Sequence, residues 1–134
     1  MQKLVWPCAP SRHHAWAFAT AAGDGAWSAG VFEAGDVKMQ RSGVIFHDVK
    51  VAYEVHGTMN ADKSNVILHP TSFGAQSSDL RYRIGAGPQF TLDTSSHCVV
   101  IVNLLGNGLS SSPSHLRSGQ GSMRDYAMAS MYDN

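Results

Sequence analysis

One form of serine acyl chemistry that a sequence can show places the hydroxyl on a strained strand-to-helix turn of pattern G-x-S-x-G, with a histidine and an acid in reach. No G-x-S-x-G occurs in the 134 residues. Ala26-Trp-Ser-Ala-Gly30 comes nearest, but it follows Gly23-Asp-Gly25 where the motif needs a buried apolar run, so Ser28 is not read as a nucleophile. Ser110-Ser-Ser112 lies in a Gly/Pro/Ser stretch without a helical pattern beside it and reads as solvated loop. Ser112, His115 and Asp125 are the right residue types for a triad, yet spacing alone does not assemble one. The seven histidines show no H-x-x-x-H or H-E-x-x-H pair, and His13-His14 are merely adjacent, so no metal site is expected. Arg81 and Arg83, near Tyr82, could meet a phosphate or carboxylate, although a solvated pair is the simpler reading. There is no P-loop, and Gly85-Ala-Gly-Pro88 lacks the third glycine of a dinucleotide fingerprint.

Ten Lys plus Arg balance ten Asp plus Glu, and charged residues make up 15% against 43% hydrophobic. Without a basic field, nucleic acid is not an expected partner. The longest clean apolar run, Cys98-Val-Val-Ile-Val102, is far below the ~20 residues that span a bilayer, so no membrane partner is expected either. Cys8 and Cys98 are far apart without a CxxC and read as free thiols of a reducing compartment. The chain is therefore expected to be cytoplasmic. The alternative is organelle targeting through residues 1–23, which carry Lys3 and Arg12 but no acid, and an alanine-rich stretch from Ala15 to Ala22.

Composition changes near Gly35. Residues 1–36 are rich in Ala, Gly and Trp without regular period, and are expected to be an unassigned, disordered extension. Residues 37–134 then hold short β-rich runs. Gly43-Val-Ile-Phe-His47 and Lys50-Val-Ala-Tyr-Glu-Val55 predict an antiparallel hairpin turned at His47-Asp48-Val49, with Val51, Tyr53 and Val55 on one face. Asn65-Val-Ile-Leu68 and Cys98-Val-Val-Ile-Val-Asn103 are apolar on consecutive positions, as in parallel strands covered on both faces. The thirty or so residues between them fit a crossover, with short helical pieces around Ser78 to Ile84 and Pro88 to Leu92. Gly106 to Gly121 reads as loop, and Met123 to Asn134 as a marginal helical start.

The segments Val51-Ala-Tyr-Glu-Val-His-Gly-Thr-Met-Asn60, Lys63-Ser-Asn-Val-Ile-Leu68, Ile84-Gly-Ala-Gly-Pro88, Leu92-Asp93 and Val100-Ile-Val-Asn-Leu-Leu-Gly106 together resemble the opening half of homoserine O-acetyltransferase-like α/β hydrolases. The resemblance covers roughly residues 37 to 134. It implies an α/β fold that is the N-terminal part of an α/β-hydrolase domain: an antiparallel hairpin leading into parallel buried strands. Ser130-Met-Tyr-Asp-Asn134 is similar to the segment that opens the helix before the nucleophile strand, which implies a domain truncated before its nucleophile elbow. In that fold the histidine follows the serine and the acid, which further rejects Ser112, His115 and Asp125.

His69-Pro-Thr-Ser-Phe-Gly74 directly follows the first parallel strand. By itself it reads as a strand-ending turn, with His69 a loop histidine. The resemblance implies that it donates one oxyanion-hole N–H, from Ser72 or Phe73, with Gly74 beside the substrate. The loop from Asn103 to Ser114 is likewise implied to border the acyl pocket, with Asn103 and Gly106 as substrate-binding candidates, although by themselves they read as residues that shape the loop. It departs from the acetyltransferases proper, whose loop has Gly-Gly followed by Gly-Ser-Thr-Gly-Pro, and reads Gly106-Asn-Gly-Leu-Ser-Ser-Ser-Pro113. That puts homoserine and acetyl-CoA in question and leaves ester-type acyl chemistry.

The expected function is thus a fragment of a serine-nucleophile acyltransferase or hydrolase. It would bind no cofactor, would take a small-molecule acyl substrate with acetyl-CoA or another acyl donor possible, and a homodimer is possible for the parent. The alternative is a non-catalytic truncated stub acting through protein interaction. Because the strands expect covering helices that these residues do not encode, the isolated chain is expected not to be a cooperative monomer.

Overall fold

The computed structural model describes residues 27–40 and 43–113. Expectations for residues 1–26, including Cys8 and the targeting alternative, lie outside the described residues. So do those for His115, Asp125, the tail to Gly121 and the helical start from Met123.

The elements follow in the order β1 (Trp27–Lys38), β2 (Ile45–His56), β3 (Val66–Pro70), a 3₁₀ helix (Ser77–Arg83), β4 (Ile84–Gly85), β5 (Leu92–Asp93) and β6 (Cys98–Val102). One sheet has the order β1-β2-β6-β3. In it β2 runs antiparallel to β1 and β6, while β3 is parallel to β6. β4 and β5 form a small parallel pair inside the β3-to-β6 connection. This is the antiparallel-into-parallel α/β arrangement expected from the sequence.

The hairpin itself differs from expectation. The two runs read as its arms are one strand, β2, and its partner is β1. The boundary placed near residue 36 therefore falls inside β1, and residues 27–36 are strand. β1 hides its period for physical reasons. Its register slips between Glu33 and Gly35 and again between Gly35 and Val37, with Gly35 at φ 69°, the left-handed residue of a bulge. Gly30 is small because Tyr53, its direct partner, lies across it: a Cβ there would sit 2.6 Å from the ring. Opposite the slips, Asp48 kinks β2 at φ 53°. The Asp36 carboxylate accepts the Asp48 N–H at 3.3 Å and pairs with His47 Nδ1 at 2.9 Å, so the kink does not end the strand.

β6 is the interior strand, with Cys98, Val99 and Ile101 at 0% exposure. Burial raises the Cys98 thiol pKa, and the cysteine is free. β3, expected in the interior, is the sheet's edge among the described residues, with Leu68 65% exposed. The 3₁₀ helix matches the first expected helical piece. The second, from Pro88 to Leu92, is instead a turn entering β5, tied by Asp93, whose carboxylate accepts from Ser95 Oγ and from the Gly87 and Ser95 amides. Those bonds hold the Asp93 pKa down to about 2.

Two small cores result. Leu80 and Ile84 pack on Val99 and Ile101, with Ile67 and Leu92 at the margin. Met39, Val49 and Leu105 form the other, with Val37, Phe46 and Val51 against them. Among the described residues no helix is long and apolar enough to cross a membrane.

Candidate active site

Two loops leave the carboxyl ends of the parallel strands β3 and β6, the edge at which open α/β sheets bind ligands. Their bases are tied together: Thr71 N–H donates to the Val102 carbonyl at 2.9 Å, and Leu104 N–H to Thr71 Oγ1 at 3.2 Å. Ser72 to Ala75 then form a tight turn in which Ala75 N–H donates to Ser72 O at 3.0 Å. Gly74, at φ 80°, is the residue of this turn that needs the left-handed region. Ser72, Phe73 and Gly74 are exposed, Phe73 at 92%. The main-chain amides of Ser72 and Phe73 donate to no acceptor among the described residues. Two amides on a braced turn can take an external oxygen that gains negative charge, which is the chemistry of an oxyanion hole.

The second loop is built as scaffold. Asn103 is 2% exposed; its Oδ1 accepts from Ser77 N–H at 3.0 Å and its Nδ2 donates to Ala52 O at 3.1 Å. A side chain so committed shapes the loop. Gly106 is exposed at the rim. The serine run is not solvated loop. Ser110 is 0% exposed; its Oγ accepts Ala52 N–H at 3.0 Å and donates to Asn103 O at 2.7 Å. Ser111 exchanges bonds with Lys50, its Oγ accepting at 2.9 Å and its N–H donating at 2.8 Å. These serines continue the β2 ladder past the end of β6, satisfying amides that would otherwise be lost to burial.

Below both loops lies a buried polar clamp. Glu54, 5% exposed on β2, accepts from Ser77 Oγ at 2.6 Å, from Arg81 Nη2 at 2.6 Å and Nε at 3.1 Å, and from His56 Nε2 at 3.0 Å. Trp27 stacks on His56 with ring centroids 5.8 Å apart, and the Arg81 guanidinium sits 4.1 Å from the Trp27 ring centroid. Burial raises the Glu54 pKa, but the bonds from Arg81, Ser77 and His56 outweigh it and leave the carboxyl below its ordinary value. Arg81 is thus ion-paired to Glu54 while its side chain stays 41% exposed, whereas Arg83 lies over the Tyr82 ring. Through Ser77, which bonds both Glu54 and Asn103, the clamp fixes the start of the 3₁₀ helix just after the exposed turn.

Ser28 sits within the antiparallel pairing of β1, not on a strand-to-helix turn. His69 is in β3 with Nδ1 donating to Pro70 O at 2.8 Å. Sequence reasoning missed Glu54, Ser77 and Asn107. The alternation of Glu54 and His56 on the face opposite Tyr53 and Val55 was the available signal.

No family model matches the chain. Over 65 residues it is 48% identical to an ethyl acetate hydrolase of Pseudomonas veronii, an overlap of 48% of this chain and 18% of that protein. A homoserine O-acetyltransferase of Methanosarcina acetivorans is 39% identical over 75 residues, 48% of this chain and 14% of that one. The crystal structure of an acetylester hydrolase from Corynebacterium glutamicum superposes with a TM-score of 0.62 at 32% identity, over 70% of this chain and 26% of that chain. The chain is homologous to α/β-hydrolase-fold esterases and homoserine O-acetyltransferases. It spans about a quarter or less of the length of these relatives. In this α/β-hydrolase-fold chain, the β1-β2-β6-β3 sheet is the opening portion of the hydrolase fold, and the Ser72–Gly74 turn follows its first parallel strand.

Proposed function

We propose that this chain supplies the oxyanion side of a serine-dependent acyl-transfer site whose substrates are small acyl esters, acetyl esters foremost. The observation that carries the reading is the exposed Ser72–Gly74 turn, with two amides unengaged among the described residues, at the carboxyl end of a parallel strand in a chain homologous to esterases. In this reading a serine on polypeptide outside these 134 residues attacks the ester carbonyl, since no G-x-S-x-G lies within them. The carbonyl oxygen becomes negative as the carbon turns tetrahedral, and the amide of Ser72 or Phe73 donates to it. A second donor is the amide following the nucleophile, and each such donor is worth about 3 kcal/mol to the transition state. Collapse expels the alcohol, which leaves with the proton the serine hydroxyl gave up, and water then cleaves the acyl-serine to the acid and the free serine.

The Gly106–Pro113 loop supports hydrolysis over transfer, because it departs from the acetyltransferase spelling. An acyl donor such as acetyl-CoA would be a substrate of the transferase version, not a bound cofactor. Gly74 and Gly106, both exposed at the rim, border the acyl group. The free, buried Cys98 thiol suits a cytoplasmic setting.

The test is to express the natural gene product that carries these residues and assay p-nitrophenyl acetate hydrolysis, homoserine acetylation by acetyl-CoA, and labelling by a fluorophosphonate serine probe. Ester hydrolysis with one labelled serine outside residues 1–134 is expected, and the 134-residue chain alone should be inactive. A gene product that neither hydrolyses nor labels would overturn the reading. So would probe label on Ser28 or Ser112 that disappears on substitution by alanine.

A further inference from the structure

The exposed turn is held by one side chain from the opposite loop. Asn107 Nδ2 donates to the Ala75 carbonyl at 3.0 Å and to Asn103 Oδ1 at 3.0 Å. The other end of the same amide, Oδ1, accepts from Leu109 N–H at 3.0 Å and Ser110 N–H at 3.3 Å. Ala75 closes the turn through its bond to Ser72 O, so its carbonyl and its amide face two different partners. Asn103 Oδ1 is also the acceptor of Ser77 N–H. Asn107 therefore grips the turn at its last residue and, through Asn103, at the first residue of the 3₁₀ helix. Its own loop is held by the Oδ1 arm, which is braced by the buried Ser110.

We infer that Asn107 is the positioning residue of the Ser72–Ala75 turn, aiming the amides of Ser72 and Phe73 through the donor half of its side chain. The inference rests on the reading of that turn as the oxyanion donor. It deepens that reading, since the 3.0 Å bonds from Asn107 tie the donor turn to the loop that borders the acyl group. Only a primary amide fits this place. A donor must face two oxygens, Ala75 O and Asn103 Oδ1, while an acceptor on the same planar group faces two main-chain amides. An aspartate keeps the acceptor half but turns an oxygen toward two oxygens. An alanine loses both halves.

The experiment compares Asn107→Asp and Asn107→Ala with the unsubstituted natural gene product by amide hydrogen exchange and by p-nitrophenyl acetate kinetics. In Asn107→Asp the Ala75 and Ser77 amides should exchange about tenfold faster, the equivalent of one lost hydrogen bond. The β2 and β6 amides should keep their protection. Because a misplaced donor weakens the transition state and not substrate binding, kcat should fall about 100-fold with KM unchanged. Asn107→Ala should lose at least as much. Unchanged exchange at Ala75 and Ser77 would overturn the inference, as would loss of protection spreading through β2 and β6, or a rise in KM with kcat intact. An unsubstituted protein without esterase activity would overturn the esterase reading separately. Faster exchange at Ala75 and Ser77 in Asn107→Asp would then still support Asn107 as the brace of the turn, and its absence would overturn that too.

Discussion

A carboxylate taken out of water stays charged only where donors replace the water it has lost. At Glu54 the donors are Arg81, Ser77 and His56. Burial raises its pKa and these bonds lower it further, so the folded value lies below the ordinary 4.5. With the folded pKa depressed, Glu54 adds stability at pH values above its unfolded pKa, and that stability is lost as pH falls through the folded value. Urea unfolding of the natural gene product at a series of pH values below 4.5 should show this loss, and Glu54→Gln should flatten it. Arg81→Ala leaves the buried carboxylate two donors short, and should cost about 1.5 to 3 kcal/mol in the same measurement at neutral pH. A proline at residue 73 has no N–H to give. If Phe73 is the donor, Phe73→Pro should lower kcat by about 10² to 10³ with little change in KM, and Ser72→Pro tests the other candidate in the same way. Little of the clamp was legible in the sequence: Arg81 could be read as meeting a carboxylate, but not which one. The period of β2 reveals two faces, Val51-Tyr53-Val55 and Ala52-Glu54-His56, and the apolar one reads as the core. Which face is covered is decided elsewhere, by the 3₁₀ helix that brings Ser77 and Arg81 over Glu54.

At the scale of elements, apolar content was the reliable signal and register the unreliable one. Cys98–Val102 and Val66–Pro70 are strands because consecutive β-branched and apolar residues favour them, and their parallel pairing followed from the length of chain between them. β1 was illegible because its bulges at Gly35 break the period-2 pattern, and because Gly30 relies on the Tyr53 ring for its packing. β2 looked broken at Asp48 because a residue at φ 53° resembles a turn, and only the Asp36 carboxylate across the sheet shows that the strand continues. The position of the Ser72–Gly74 turn after β3 was legible; the serine ladder was not, since Ser110 and Ser111 replace strand backbone with hydroxyls. That ladder can be tested. Ser110→Ala strands the Ala52 amide and one bond to Asn103 O in a buried setting, which should cost about 1 to 3 kcal/mol by chemical unfolding.

Across the whole molecule, each face of the described sheet carries a small core and leaves other apolar side chains wet. Glu54, His56, Val99 and Ile101 face the 3₁₀ helix, while Leu68 stays 65% exposed on the edge strand, and Val31 and Phe32 are each 41% exposed on β1. A sheet edge and apolar side chains left wet are sites of pairing and aggregation. The 134-residue chain by itself should therefore bind ANS and melt without a sharp transition; a two-state melt from a monodisperse monomer would contradict this. Whether this chain carries the oxyanion side of a serine esterase site would be visible in a crystal structure of the natural gene product inactivated with a phosphonate ester. A phosphonyl oxygen is expected at about 2.7 to 3.1 Å from the main-chain nitrogen of Ser72 or Phe73. A phosphonyl group bound elsewhere, with both amides facing only water, would contradict it.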